Sequence, residues 1–370
     1  MHKTLVSVAI FTIFQITASH ASALPEGVFA PTETERHLPE KHLKDGWNDI
    51  NKPDMINSTY VTNYSALPLS GSVDADKTPW SDTYWPTNQG GIANRWHSSS
   101  RRGFDYHLAT KEEVAVMTPE ELAALSPAEK YDIYMGDYSY PTVHQVWATT
   151  SPRAPGWNGI CHGWSPAAIM YAEPLPITVV NPDGVQVPFG TSDVKGMISY
   201  YYANIAHSLA HQLGARCSVG FSFLPACNDV NAGAFHIVLA NQLGLMKTAF
   251  IGDYARLREV WNNPIYAFDS RVISEGGAFR GSAPGTVRTL LVVSNVTYTN
   301  ELEDPMWMPV VGTPQFQKKI TEYKYYLELD AAGNIIGGSW VTWNRPDFLW
   351  TKDREEFSGY FAAINNLIRH

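Results

Sequence analysis

A cysteine and a histidine far apart in the chain could together carry thiol chemistry. Cys161 stands in the glycine-flanked stretch 159–164, and His236 opens a strand-like apolar run. A free cysteine has a pKa of about 8.5, so a neighbouring imidazole is needed to hold the thiolate at neutral pH. The pair predicts acyl transfer by a thiol nucleophile. The alternative is a cysteine packed in the core and a histidine with a satisfied ring.

A third polar group is needed to orient the imidazole. We predict a strand over residues 235–240 that carries His236. In an antiparallel hairpin, Asp253 on the next strand would then lie opposite His236. Asp229 is the alternative because it closely precedes the strand. Asn241 fits less well, since its odd offset from His236 places it on the other face of the sheet.

The turn around Cys161 also predicts how a thiolate would be stabilised. Serine is favoured at a helix N-cap and proline at the first helical position, so Ser165 and Pro166 predict a helix start. We expect Cys161 either in the turn just before that helix or on a first helical turn that is kinked at Pro166. Either position lies near helix N–H groups that favour a thiolate. The N–H of Cys161, with Asn158 or Trp157, could form an oxyanion hole. We expect His162 to be structural.

Metal sites receive little support from the sequence. His207 and His211 have a spacing that can bind zinc on a helix, but the glutamate of the HExxH pattern is missing between them. The densest acidic groups, residues 74–76 and 301–304, do not match an EF-hand loop. We therefore predict no zinc site and interpret the acidic groups as solvated loops.

Residues 1–23 have the pattern of a secretory signal: a basic start, a short apolar run and a small-residue cleavage site. That run is too short to span a bilayer, so we expect a secreted protein, extracellular or periplasmic, without stable membrane insertion. In an oxidising compartment, Cys217 and Cys227 would pair and leave Cys161 free. A net charge of -9 argues against nucleic-acid binding.

The order of predicted elements indicates an α+β fold in which helices carrying Cys161 pack on an antiparallel sheet carrying His236. We predict a signal peptide (1–23), an N-terminal extension or subdomain (24–105), for which a pro-segment or lid is an alternative, and a catalytic domain (106–370). The elements expected in the catalytic domain are helices beginning after Thr118 and Ser126, a long helix over 191–213, strands over 247–251, 287–298, 321–329 and 335–343, and a closing helix over 355–368.

Three stretches together resemble the transglutaminase elicitor family of secreted oomycete glycoproteins. They are Gly159–Ala167, Asp229–His236 and Val260–Pro264. The third is similar to the exposed peptide of that family that plants perceive. Asn263 stands where the family has glutamine, and residues 265–268 depart from its usual continuation.

The resemblance implies a calcium-dependent protein-glutamine γ-glutamyltransferase with a Cys–His–Asp triad on a papain-like or variant fold. Cys161 matches the family's cysteine, whereas His236 and Asp253 rest mainly on the spacing argument. We therefore predict acyl transfer from a protein glutamine to a protein lysine through a Cys161 thioester. The alternatives are a secreted cysteine peptidase or deamidase with the same triad, and a non-enzymatic surface or elicitor protein. The oligomeric state stays open.

Overall fold

The computed structural model describes residues 47–96, 103–104, 106–216, 229–254 and 259–368. These residues fall within one compact unit that begins at Leu38. The predicted signal peptide and the predicted Cys217–Cys227 disulfide lie outside the described residues. Within the described ranges, no helix is both long and apolar enough to cross a bilayer.

The sheet is the largest element of the described structure. Its strands and a separate hairpin are β1 (Ser70–Ser72), β2 (Ile177–Val180), β3 (Gln186–Phe189), β4 (Ala210–Gly214), β5 (Phe250–Asp253), β6 (Asn262–Gly276), β7 (Arg288–Thr299), β8 (Lys318–Leu329), β9 (Ile335–Trp340) and β10 (Phe348–Lys352). Eight strands form an antiparallel sheet in the order β4-β10-β5-β6-β7-β8-β9, with β1 paired on β6, and β2 pairs only with β3.

Helices cover both faces of this sheet. They are α1 (Lys111–Val114), α2 (Pro119–Ala124), α3 (Pro127–Tyr134), α4 (Pro141–Thr149), α5 (Cys161–Met170), α6 (Thr191–Asn204), α7 (Ala232–Leu239) and α8 (Ile364–Leu367). The predicted starts of α2 and α3 are confirmed. Thr118 and Ser126 each accept the backbone N–H three residues on, and a glutamate at that position bonds back to the cap, which completes a capping box.

The two faces of the sheet carry different cores. On β5 and β10, Phe250 and Leu349 belong to the core that packs α7, whereas Trp350 donates to Asn262, which in turn donates to Cys161 of α5. Successive residues of a strand point to opposite faces. The sheet therefore stands between α5 and α7.

The prediction of a strand over residues 235–240 is wrong, because this segment forms helix α7. Asn231 caps it by accepting the N–H of Gly233 at 2.8 Å. Every residue of α7 is buried. Apart from His236 its side chains are apolar, so no polar face marks the segment as a helix. A short, uniformly apolar run does not distinguish a buried helix from a buried strand.

The long helix predicted over residues 191–213 is also wrong in its second half. Helix α6 ends at Asn204, and β4 pairs with β10 from Ala210 to Gly214. Pairing at the sheet edge overrides the helical pattern there. The closing helix is shorter than predicted, with a 3-10 segment over Gly359–Ala363 before α8.

The described part of the N-terminal region packs in the same unit as helix α5 and the sheet. Trp80 and Trp85 are buried, and the Trp164 indole donates to the carbonyl of Trp80 at 3.2 Å. Ser70 to Ser72 pair with β6. Residues 47–96 thus contribute to the sheet and to the packing of α5, and the predicted division at residue 105 stays a prediction.

Candidate active site

Cys161 is the first residue of α5, so it lies on the first helical turn, the second of the two predicted placements, rather than in a turn before a helix that begins at Ser165. Gly163 and Trp164 both donate their backbone N–H to Ile160, so the helix begins before the proline. Pro166 then lies inside the helix, where it lacks a ladder hydrogen bond. The Ser165 hydroxyl does not cap the helix and donates instead to the backbone carbonyl of Asn262.

The Cys161 sulfur is a free thiol with 5% of the residue exposed. Its polar contacts among the described residues come from one segment: the backbone and side chain of Asn262 donate to Sγ, with Nδ2 at 3.5 Å, and the carbonyl of Val260 lies 4.0 Å away. Burial raises the pKa of Cys161, and hydrogen bonds from the backbone and side chain of Asn262 offset part of that rise. The charges of Glu301 and Asp253 add to the rise.

Asn262 is held between the sulfur and the sheet. Its Oδ1 accepts the Trp350 indole N–H at 2.9 Å, which directs its Nδ2 towards Cys161. In the β5–β6 pairing Asn262 lies opposite Asp253, so both side chains are on the face that carries α5. Asp253 is fully buried, and its Oδ1 accepts the N–H of Trp261 at 3.5 Å.

His236 lies on α7, on the other face of the sheet from Cys161. Its Nδ1 is 2.8 Å from the hydroxyl of Tyr325, and among the described residues its buried Nε2 has no hydrogen-bond partner. Burial lowers the pKa of His236 to about 4. The predicted thiol–imidazole pair is not formed in this structure, because the sheet separates the two side chains.

The other predicted site residues also divide between the two faces. Asp253 lies on the Cys161 side, close enough for its charge to act on the thiol. Asp229 is a buried partner of Arg345, whose Nε lies 2.6 Å from its Oδ2. In the described part of the chain, no histidine ring hydrogen-bonds the Cys161 sulfur, and His162 is exposed. The structure thus brings Asp253 to Cys161, but neither His236 nor Asp229.

The turn before Cys161 is fixed by the strand-like segment around Tyr84. The Tyr84 carbonyl accepts the N–H of Ile160 at 2.8 Å, and its hydroxyl donates to Gly156 at 2.6 Å. A Cβ on Gly159 would lie 2.3 Å from that carbonyl, so only glycine fits. Asn158, proposed for the oxyanion hole, accepts the N–H of Thr87 with its carbonyl at 2.8 Å. Its catalytic role stays a prediction.

Sequence reasoning missed the groups that come from the strand ends. Asn262 belongs to the motif Val260–Pro264, which resembles an exposed peptide of the family. In this structure, however, Asn262 and Asn263 are buried. Glu301 follows β7 and accepts Asn263 Nδ2 at 3.1 Å, and burial raises the pKa of Glu301 to about 7. Glu301 belongs to a group that was interpreted as a solvated loop. Only strand pairing brings it to the site.

The described residues offer no evident metal centre. No group of three or more histidine, cysteine, aspartate or glutamate side chains among them could hold a metal ion. His211 lies on β4 and His207 precedes that strand, so they are not successive turns of one helix. The calcium dependence that the family resemblance implies stays a prediction, and no chemical step is assigned to the ion.

Comparisons with known proteins agree with the fold. The sequence profile of the family described as "Transglutaminase elicitor" matches residues 147–278 and 286–358, more than half of the chain. The crystal structure of the GP42 transglutaminase from Phytophthora sojae is similar, with a TM-score of 0.63 and 24% identity over 87% of this chain and 96% of that one. At this identity the likeness shows the fold alone. No curated protein matches the chain.

Proposed function

The chain belongs to the transglutaminase elicitor family, and from that premise we propose that it is a protein-glutamine γ-glutamyltransferase with Cys161 as its nucleophile. The observation that carries the proposal is the free Cys161 thiol at the start of α5, with the Asn262 amide as a hydrogen-bond donor to its sulfur. A thiol at a helix start with a dedicated donor has the surroundings of a reactive cysteine.

The reaction has two steps. The Cys161 sulfur attacks the side-chain carbonyl carbon of a glutamine, the carbon–nitrogen bond breaks, and the thiol proton leaves on ammonia. The product of this step is a thioester. A lysine amine then attacks the same carbon, the carbon–sulfur bond breaks, and one amine proton restores the thiol. The net products are an isopeptide bond and ammonia.

Asn262 and Asp253 have distinct roles in this proposal. Asn262 Nδ2 lowers the free energy of the Cys161 thiolate relative to the thiol by donating to sulfur. Asp253 is a positioning residue, because its Oδ1 accepts the N–H of Trp261 and so holds the segment that presents Asn262. His236 has no direct part in the chemistry, since it lies across the sheet.

Aromatic side chains around Cys161 favour an amine over water as the acceptor. Trp164 is fully buried in α5, and the rings of Tyr84 and Trp261 pack edge to face with centroids 5.4 Å apart. A site with little water protects a thioester from hydrolysis. This favours the transferase over the peptidase or deamidase alternative, in which water is the acceptor.

The direct test compares the wild type with Cys161→Ala. We expect the wild type to release ammonia from a glutamine-containing protein and to incorporate a lysine amine, and the variant to do neither. Thermal unfolding of both proteins checks that the variant folds. Amine incorporation by a folded Cys161→Ala protein would refute the proposal, and ammonia release without incorporation would support the deamidase alternative.

One observation favours a non-enzymatic surface or elicitor protein. Cys161 is buried, and that burial raises the pKa of its thiol, as expected for an inert core cysteine. Alkylation by iodoacetamide across pH separates the two proposals. A thiol that reacts below about pH 7 at the rate of an ordinary free cysteine, or faster, supports the enzyme. A thiol that reacts only after unfolding supports the inert protein.

Two further proposals rest on the sequence and the family. We propose that the protein is secreted and acts on protein substrates that carry glutamine and lysine. We also propose that calcium supports the activity, as the family resemblance implies. Chelation with EGTA, followed by re-addition of calcium, tests this. Full crosslinking activity in EGTA would remove calcium from the proposal.

A further inference from the structure

We propose that Glu301 and the ring face of Tyr254 form a subsite that binds the ammonium group of the acyl acceptor, a lysine side chain, beside Cys161. This inference rests on the proposed transferase function, since it concerns the second step of that reaction. The subsite is separate from the residues that contact the sulfur. It makes the enzyme selective for cationic amines.

The subsite lies at one edge of the sheet, where β5 and β7 end and β6 and β8 begin. Tyr254 follows β5, β6 begins with Asn262 and Asn263, and Glu301 follows β7. Asn263 Nδ2 donates to Glu301 Oε1 at 3.1 Å and to the carbonyl of Thr299 at 2.9 Å. Asn262 and Asn263 are consecutive on β6, so their side chains leave the strand on opposite faces. Glu301 is still within electrostatic range of the Cys161 thiol, because it lies at the end of the sheet beside the first residues of β6.

The structure already contains an alkylammonium group on the face of the Tyr254 ring. Nζ of Lys319, at the start of β8, lies 3.5 Å from the centroid of the Tyr254 ring, and Lys319 is within electrostatic range of Glu301. Aromatic faces attract ammonium groups through their quadrupole, and a nearby carboxylate adds to that attraction. Lys319 is partly exposed, so it can leave the ring and make room for the lysine of a second protein.

The chemistry of the second step needs such a group. Lysine amines are protonated at neutral pH, and only the unprotonated nitrogen attacks a thioester. A carboxylate that binds the ammonium accepts one proton and later releases it to water. The nitrogen then bonds to the acyl carbon, the carbon–sulfur bond breaks, and a second amine proton restores the Cys161 thiol. Glu301 is partly exposed, so both the amine and water can reach it.

The test measures acceptor preference in Glu301→Gln, with Glu303→Gln as the matched control because Glu303 is exposed and two residues away. The two acceptors are N-acetyl-lysine amide, which is cationic at about pH 7, and hydroxylamine, which is neutral. We expect the ratio of their kcat/KM values to fall about tenfold in Glu301→Gln, as for loss of a hydrogen bond to a charged group. In the control we expect the wild-type ratio. A ratio within twofold of wild type in Glu301→Gln overturns the subsite.

A second variant keeps the inference testable if Glu301→Gln does not fold. Replacing Lys319 by Met removes the internal ammonium from the Tyr254 ring, and we expect the KM of the lysine amide to fall about threefold, since a competing cation–π contact is lost. An unchanged or higher KM contradicts the subsite. If the wild type uses neither acceptor and releases no ammonia, the transferase function itself fails. If the enzyme turns over but neither the kcat/KM ratio in Glu301→Gln nor the KM of the lysine amide in the Lys319 variant changes, only the subsite is refuted.

Discussion

Asn262 Nδ2 donates to Cys161 Sγ at 3.5 Å, across 101 positions of sequence. The donor stands on the first residue of a strand and the acceptor on the first residue of a helix. A contact between two element ends is set by how the helix packs on the sheet. The hydrogen bond to the thiol therefore depends on the β5–β6 pairing that presents Asn262.

Removing this donor is expected to slow the reactions of the thiol. In Asn262→Ala the Cys161 thiolate loses a hydrogen bond, so its pKa rises. A rise of one unit lowers the thiolate fraction, and the alkylation rate at about pH 7, about tenfold. The measurement is the rate of iodoacetamide alkylation against pH.

The matched control for this prediction is Trp350→Phe. It removes the indole donor to Asn262 Oδ1 and leaves Asn262 in place. The pH midpoint of its alkylation curve should therefore move less than that of Asn262→Ala. Identical pH midpoints for Asn262→Ala and the wild type would show that the contact does not control the thiol.

The turn before Cys161 should tolerate no side chain at position 159. A Cβ there would approach the Tyr84 carbonyl to 2.3 Å, and backbone cannot swing away as a flexible side chain can. We expect Gly159→Ala to shift the start of α5 and to lower crosslinking at least tenfold, as for small misplacements of a reacting group. Gly277→Ala is the control, because nothing lies within 4 Å of its added Cβ. Equal activity of the two variants would contradict the prediction.

His236 is expected to govern stability in acid rather than catalysis. Its pKa is about 4 in the folded protein, against an ordinary value of 6.5, so the unfolded chain binds the proton more tightly. The free energy of unfolding should therefore fall as pH decreases from about 6.5 towards 4. The imidazole contributes a loss of about 2 kcal/mol between about pH 8 and pH 5. Urea unfolding at both pH values measures it.

His236→Gln supplies the comparison for that measurement. Without the imidazole, the pH dependence should decrease by the same amount, while the folded variant keeps its crosslinking activity. Loss of crosslinking activity in a His236→Gln protein that is folded at about pH 8 would show that His236 takes part in catalysis.

A buried ion pair fixes the helical side of the molecule. Lys130 Nζ lies 2.7 Å from Asp193 Oδ2, both side chains are fully buried, and Asp193 also accepts the Trp96 indole N–H at 2.7 Å. Lys130→Met would leave a buried carboxylate without its cation and should lower the free energy of unfolding by about 3–5 kcal/mol. The exposed pair of Lys77 and Asp74 is the control, and Lys77→Met should have no measurable effect in the same denaturant titration.

Local signals in the sequence predicted local structure well. The capping boxes at Thr118 and Ser126 are confirmed, because each depends on residues within one turn. The mixed helices and large antiparallel sheet are confirmed too. The helix at 232–239 was not predictable from its pattern, since every side of it is buried.

The site was harder to predict than the fold. Cys161 stood out because glycines stand two residues before and after it, but its partners come from the ends of strands that are distant in sequence. The pairing of Asp253 with Asn262 puts both on the side of α5, and a one-residue change of register would turn them away. The family motif contains Asn262 but does not indicate that its side chain points towards Cys161. The apolar run after His236 likewise does not indicate which face of the sheet this segment covers.

The dispersal of the site along the chain has a consequence for biosynthesis. Tyr84, Cys161, Asn262 and Glu301 come together only after β5 to β8 have paired, so a growing polypeptide that has reached α5 carries an ordinary thiol. The hydrogen-bond donor to the Cys161 sulfur is therefore added late in synthesis, when the chain has passed β5 and reached the start of β6.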